Sequence, residues 1–342
     1  MNNSKSIVHL IPHEGIGGVE RAASTMNIFT HNGINFCVFT IFPEKVIKKW
    51  WIFWNPFFYI VAILKILKSN PEILIISLWK SCIVGLFIKL INPKVKLILF
   101  LHSPRNSHFL DKYLTILAAY FANHIWADSQ DTLDNRLTKG LKSKVKVVSF
   151  ICEKYPIKFE NKKVSPSFIF WGRIHKQKRL DNALYFFSEI YTSNKDASFI
   201  IIGPDCGDLK SVRNLVSNLK LSSAVHFMGP LSFDNIKILS ANASFYLQTS
   251  ELEGMALSVV EAMQLGLVPI VTPVGEIKNY CVDGFNAIFI IKNNENAIDN
   301  VRLLLSNLED YNKFRYNSIS SWNNKITYKD DVFNKCLELL KN

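Results

Sequence analysis

The stretch Ser250-Glu251-Leu252-Glu253-Gly254-Met255-Ala256-Leu257-Ser258-Val259-Val260-Glu261-Ala262-Met263-Gln264-Leu265-Gly266 sets two carboxylates around a glycine turn and the start of a helix. The pattern predicts a loop that turns at Gly254 into a helix over 256–265, stopped by Gly266. Backbone N–H groups of Met255, Ala256 and Leu257 at that start lack intrahelical acceptors, so they form a site for an anion such as a diphosphate. Glu261 lies about two turns in. Its two carboxylate oxygens can accept from two ribose hydroxyls at once, and Glu253 on the loop can do the same for a sugar. Isolated glutamates are usually solvated, but Glu261 sits in an otherwise apolar helix, where a charge needs a partner or a cleft.

Three further constellations carry chemistry. In Trp171-Gly172-Arg173-Ile174-His175-Lys176-Gln177-Lys178-Arg179-Leu180-Asp181, the cations of Arg173 and Lys178 would neutralise a diphosphate and the charge that grows on it as a bond to it breaks. Gly15-Ile16-Gly17-Gly18-Val19-Glu20-Arg21 follows a strand and opens a helix; Gly17 and Gly18 let the backbone approach a ligand. A dinucleotide fingerprint needs a third glycine where Glu20 stands, so this loop is a weak match to one. His102 ends a strand in Leu101-His102-Ser103-Pro104-Arg105, where it can face a ligand, although a lone histidine is more often structural. Gly203, Phe227 and Met228 follow two later strands and are placed to line a nucleobase pocket, which does not distinguish uracil from guanine.

Such loops need a scaffold that aims strand ends at one place. Short apolar runs at 7–11, 36–42, 73–77, 96–101, 124–127 and 145–149 alternate with helical stretches, and after a polar stretch at 153–166 the pattern restarts at 167–171, 199–202, 224–227, 243–248, 268–271 and 287–290. Alternation of this kind predicts parallel sheets in an α/β fold. The expected organisation is an N-terminal domain over 1–160, a second over 161–325, and a helix over 326–342 that packs back on the first. Two doubly wound domains in tandem place a cleft between the carboxyl ends of their sheets, where such sheets bind ligands.

The Glu253-Gly254-Met255 to Glu261 stretch resembles the EGF-x-x-x-x-x-E signature of the retaining GT-B glycosyltransferases often grouped as family 4, with Met255 in place of the usual aromatic or apolar residue. The likeness continues through Val271-Thr272-Pro273-Val274-Gly275 and Asp283-Gly284-Phe285-Asn286-Ala287, with Glu276 and Ala287 in place of glycines. The Arg173 to Lys178 segment is similar to the family's G-R-x-x-x-x-K-G, with Arg179 in place of the last glycine, which adds a charge that tightens or crowds phosphate binding. Gly17 to Arg21 looks like its G-G-x-E-R loop. The resemblance implies a GT-B fold of two Rossmann-like domains facing across a cleft and a retaining transfer from a nucleotide-sugar. It implies that Arg173, Lys178, Glu253 and His102 act in catalysis, His102 close to the anomeric centre. Glu261, Gly254, Met255, Ala256, Leu257, Gly203, Phe227, Met228, Gly17 and Gly18 would hold the donor. No metal or other cofactor is expected, because cationic side chains stand where a divalent ion would act.

Composition bounds the partners. The net charge is +12, and residues 1–160 hold 20 Lys and Arg against 10 Asp and Glu, whereas 161–342 hold 20 against 18. Nucleic acid, an anionic bilayer or a pyrophosphate-linked lipid would each suit the basic first half. No nucleic-acid motif accompanies it. Residues 45–68 combine Trp50, Trp51, Trp54, Phe53, Phe57, Phe58 and Tyr59 with Lys45, Lys48, Lys49, Lys65 and Lys68, which predicts peripheral contact with an anionic membrane. The alternative is a buried helix with a lysine rim. Neither 52–64 nor 73–91 reads as a membrane span, and the six scattered cysteines read as reduced thiols. The expected place is therefore the cytoplasm, at the inner face of the cytoplasmic membrane. The expected acceptor is a saccharide, lipid-linked, in bacterial surface polysaccharide assembly. A sugar-nucleotide 2-epimerase and a nucleic-acid-binding protein are the rival readings.

Overall fold

The computed structural model describes residues 5–15, 18–26, 29–31, 33–43, 50–136, 144–155, 159–291 and 295–341. The chain divides into two compact units, Met1–Glu153 with Ile326–Asn342, and Lys154–Lys325. Each is a Rossmann-like α/β fold.

The first unit is built on β1 (Lys5–Ile11), β2 (Phe29–His31), β3 (Ile34–Thr40), β4 (Ile73–Ser77), β5 (Lys96–Leu101), β6 (His124–Ala127) and β7 (Val145–Val147). They lie in the order β2-β3-β1-β4-β5-β6-β7. Neighbours are parallel except at the edge, where β2 pairs antiparallel with β3 and adds to the strands expected from the sequence. β4 is buried throughout, and such unbroken apolar runs belong to strands covered on both faces. The helices are α1 (Gly18–Ser24), α2 (Pro56–Ser69), α3 (Trp79–Ile91), α4 (Phe109–Phe121) and α5 (Gln130–Arg136). α3 packs against both α2 and α4. Their inner faces join Leu74, Ile76, Leu97 and Leu99 in one core. The aromatic segment around residue 50 becomes a 3₁₀ turn, Trp50–Trp54, followed by α2. Asn55 caps α2 by accepting the Phe57 amide hydrogen at 3.0 Å, Pro56 takes the first position, and Asn70 closes it in the left-handed region at φ 41°.

The second unit carries β8 (Ser167–Trp171), β9 (Ser198–Ile202), β10 (Val225–Gly229), β11 (Phe245–Gln248), β12 (Val268–Val271) and β13 (Ile288–Phe289), ordered β10-β9-β8-β11-β12-β13. All of its pairings are parallel. Its helices are α6 (Leu180–Ser193), α7 (Leu209–Asn218), α8 (Phe233–Ser240), α9 (Leu257–Gln264), α10 (Ile277–Tyr280), α11 (Glu295–Ser306) and α12 (Leu308–Ser320). The last helix, α13 (Tyr328–Lys341), belongs to the first unit. There the Tyr328 N–H donates to the Ile151 carbonyl at 2.7 Å, Asp331 Oδ2 accepts the Ser149 N–H at 2.7 Å, and the Tyr328 ring stacks on Phe100.

Strand order reverses between β1 and β4 in one sheet and between β8 and β11 in the other. The loops leaving the carboxyl ends of those strands are where doubly wound sheets receive ligands.

Candidate functional site

In the second unit, β8 and β11 are parallel neighbours, with Phe168 opposite Phe245 and Ile169 opposite Tyr246. The loops that follow them therefore leave the sheet side by side. They are tied together: the Glu251 N–H donates to the Gln177 carbonyl at 3.0 Å, Gln177 Nε2 to the Leu252 carbonyl at 2.7 Å, and Thr249 Oγ1 to the Arg179 carbonyl at 2.6 Å.

These ties bring Lys178 to Glu253, with Nζ 2.6 Å from Oε1 and the side chains 12% and 8% exposed. Gln248 Nε2 donates to the same oxygen at 3.1 Å. Gln248 Oε1 accepts in turn from Tyr246 and from Ser258, at 2.8 and 2.9 Å. Burial pushes the Tyr246 phenol well above its usual range, so it stays protonated and able to donate. An ammonium has three N–H donors and Glu253 takes one, so Lys178 can still address an anion. Glu253 Oε2 has no partner among the described residues.

Glu261 is 5% exposed, and its Oε2 accepts the Trp171 indole N–H at 2.9 Å. A buried carboxylate needs such a donor. Here it comes from the last residue of β8 and fastens α9 to that strand end.

The turn into α9 differs from expectation. The left-handed residue is Ala256, at φ 54° and ψ 64°, and no side chain caps the helix. Gly254 instead offers its carbonyl to the Glu276 N–H at 3.0 Å. Tyr280 donates its hydroxyl to the Met255 carbonyl at 2.9 Å. A Cβ on Gly275 would lie 2.1 Å from the Glu253 carbonyl oxygen, which is why a glycine stands there. The first amides of α9 thus lack a side-chain cap, and such uncapped N–H groups at a helix start suit an anion.

Arg173 is exposed and has no hydrogen bond or ion pair among the described residues. Arg179 occupies the left-handed region at φ 47° and ψ 47°, which explains why glycine suits that position. Its added charge is engaged locally: Nε and Nη2 reach Asp181 at 3.0 and 2.9 Å, and Nη2 reaches Asn182 at 3.0 Å. Hydrogen bonding to Asp181 raises the guanidinium pKa further.

Gly203 follows β9, and a Cβ there would come within 1.7 Å of the Gly172 carbonyl oxygen. Its role in the fold is this close approach of two backbone turns. Phe227 is half-buried under the Arg213 guanidinium, 4.7 Å from its ring centre, and Met228 is exposed.

In the first unit, Gly18 opens α1, while Gly17, Lys45, Lys48 and Lys49 and the Trp50 side chain lie outside the described residues. The His102 side chain is only 3% exposed. Its ring lies among Phe100 and Phe150, and Nε2 is 2.9 Å from Ser77 Oγ. His9 Nε2 approaches that same hydroxyl at 2.8 Å. Ser77 has one proton to donate and two lone pairs, so at most one of the two imidazoles accepts from it and the other presents an N–H. Burial holds His9 down at about 3. Burial, then the charges of His9 and Arg136, push His102 well below its usual range. Among the described residues His102 Nδ1 has no hydrogen-bond partner, and with the ring neutral the Asp128 carboxylate 4.0 Å away is no ion pair. The ring therefore braces the ends of β4 and β5, where the sequence suggested a sugar contact.

The second unit thus gathers Lys178 with Glu253, and Glu261 with Trp171, on the loops of one strand-order reversal. Gln248, Trp171, Tyr280 and Gly275 support them and were not assigned these parts from the sequence. The one available signal was that Trp171 and Gln248 end predicted strands.

Residues 153–321 match the family model for glycosyl transferases group 1. Among relatives, an uncharacterized glycosyltransferase of Methanocaldococcus jannaschii is 30% identical over 145 residues, 42% of this chain and 39% of that one. The alpha-monoglucosyldiacylglycerol synthase of Acholeplasma laidlawii is 31% identical over 124 residues, 36% of this chain and 31% of that one. The chain thus spans well under half the length of these relatives. In fold it is similar to Anabaena HepE, solved in complex with UDP and glucose, with a TM-score of 0.77, 15% identity, and 99% and 100% of the two chains covered.

Proposed function

We propose that this chain, whose second unit is a glycosyl transferases group 1 domain, moves a sugar from a UDP- or GDP-sugar to a saccharide acceptor with retention at the anomeric carbon. The observation that carries the reading is the buried Glu261, held by Trp171 within α9, a helix whose start has no side-chain cap, together with the Lys178–Glu253 pair. In this scheme Glu261 accepts the ribose hydroxyls, and Glu253 orients the sugar. Arg173, Lys178 and the start of α9 stabilise the departing diphosphate. The bond from the anomeric carbon to the diphosphate oxygen breaks, and the acceptor hydroxyl oxygen bonds to that carbon on the same face. Its proton passes to the departing phosphate oxygen. The cationic side chains supply the counter-charge, so the scheme uses no metal.

The acceptor we propose is a lipid-linked saccharide of bacterial surface polysaccharide, such as O-antigen, capsule or exopolysaccharide, met at the inner face of the cytoplasmic membrane through residues 45–68. The basic first half, the exposed Trp51 and Trp54, and the relative named for a glucosylated diacylglycerol support this. Purified protein incubated with UDP-, GDP-, ADP- and TDP-sugars, beside Glu261→Ala and Arg173→Ala, tests the scheme. Slow hydrolysis of one donor, reduced about a hundredfold or more in both variants, is expected, since each loses a charged contact worth about 3 kcal/mol. Failure to bind any donor overturns it, and epimerised nucleotide formed without acceptor assigns the other reaction.

A further inference from the structure

Helices α2, α3 and α4 are apolar on two sides. Their inner faces pack against the sheet through residues such as Ile66, Val84, Ile88 and Ala118. Gly85 comes so close that a Cβ would lie 2.8 Å from Ile76. Their outer faces are apolar as well. On α2, Phe57, Ile60, Val61 and Leu64 are exposed at i, i+3, i+4 and i+7; on α3, Phe87, Leu90 and Ile91 at i, i+3 and i+4; on α4, Phe109, Tyr113, Leu117 and Tyr120 at i, i+4, i+8 and i+11. Each set is one helical stripe. The least exposed of these residues is Val61 at 44% and the most exposed is Leu90 at 70%.

We infer that these three stripes form one face that docks on an anionic phospholipid bilayer. The inference rests on the membrane-surface reading of residues 45–68 and extends it to α3 and α4. Soluble monomers seldom leave so broad an apolar face to water. Among the described residues no helix is long and apolar enough to cross a membrane, so the face lies on the bilayer. The charges select its lipid. The three helices carry lysines and a single acid, Asp111, and Asp111 is buried and paired with Arg136. Lys65, Lys68 and Lys112, with Lys94 in the turn after α3, are exposed, as suits a basic rim around an apolar centre at anionic headgroups. A second copy of this chain on the same face would set these lysines against each other with no exposed carboxylate on the helices to answer them.

The test is flotation of the full chain with vesicles of phosphatidylcholine alone and of phosphatidylcholine with one third phosphatidylglycerol. The protein is expected to float with the second and at least tenfold less with the first. The triple variant Phe109→Ser, Tyr113→Ser, Tyr120→Ser should lose tenfold or more of that binding. Lys68→Gln with Lys112→Gln, which leaves every ring in place, should lose about tenfold or more. Unchanged donor hydrolysis in both variants shows that they fold and keeps the outcome separate from the sugar-transfer reading. Flotation of both variants like the parent overturns the inference, and if Trp51→Ser with Trp54→Ser then abolishes binding, contact is confined to residues 45–68. A parent that ignores vesicles yet dimerises through α4, by light scattering, also overturns it and assigns the face to a second copy.

Discussion

A carboxylate in the middle of an apolar helix has to find a donor, and Glu261 finds the indole of Trp171. The oddity of Glu261 was legible in the sequence because charge and context disagreed. Its partner was not, since the two lie 90 positions apart and only the pairing of β8 with β11 joins them. Trp171→Phe keeps the ring and removes the N–H. The variant should lose about 1 to 3 kcal/mol of stability, because the buried carboxylate loses a hydrogen bond, and should bind nucleotide-sugar more weakly; urea denaturation and donor titration measure the two effects. Arg179 is a second case. Glycine suits its backbone, while its guanidinium holds Asp181. Arg179→Ala keeps the left-handed strain and loses the ion pair, whereas Arg179→Gly loses both. The glycine variant should therefore be the more stable of the two by about 1 kcal/mol, and an alanine variant equal to or more stable than the glycine one would contradict the left-handed assignment.

At the scale of elements, the central strands were readable because each is an apolar run covered on both faces. β4, β5, β6, β8 and β12 begin and end within a residue of their expected limits. β2 was not, since three residues pairing antiparallel at an edge leave no periodicity to detect. The turn into α9 was assigned to the residue with the best intrinsic preference, Gly254. The chain instead spends its left-handed conformation on Ala256, held by the Tyr280 hydroxyl, a constraint from 24 residues away. Glycines divide likewise by what surrounds them. Gly33 and Gly203 both have positive φ, but a Cβ meets nothing within 4 Å at Gly33 and backbone at 1.7 Å at Gly203. Gly33→Ala should cost about 1 kcal/mol from backbone strain alone. Gly203→Ala should cost about 3 kcal/mol or more, because the Gly172 turn must move, and should disturb donor binding as well; matched thermal melts of the two variants distinguish them.

Across the whole molecule, the uneven charge seen in the sequence turned out to accompany an apolar face, which the sequence alone showed only in part, at residues 45–68. The buried histidines add a dependence on pH. His9 has its pKa lowered to about 3 in the fold, from an unfolded value of 6.5. Between those values the unfolded chain binds the proton and the folded one does not, so stability falls as pH drops below 6.5. His9 alone should cost about 2 kcal/mol at pH 5, and His102, shifted the same way, adds to the loss. A melting temperature that does not fall between pH 7 and pH 5 would contradict the buried pair. The return of α13 to the first unit has a consequence in time. On the ribosome, residues 1–153 emerge first, but the helix that completes their unit follows only after residues 154–325. At about 5 to 20 residues per second, that leaves Phe100, Phe150 and the neighbouring strand ends waiting roughly 10 to 30 s for Tyr328. The first unit is thus begun before the second and completed after it, and a nascent chain halted before α13 should leave the Tyr328 side of Phe100 and Phe150 uncovered.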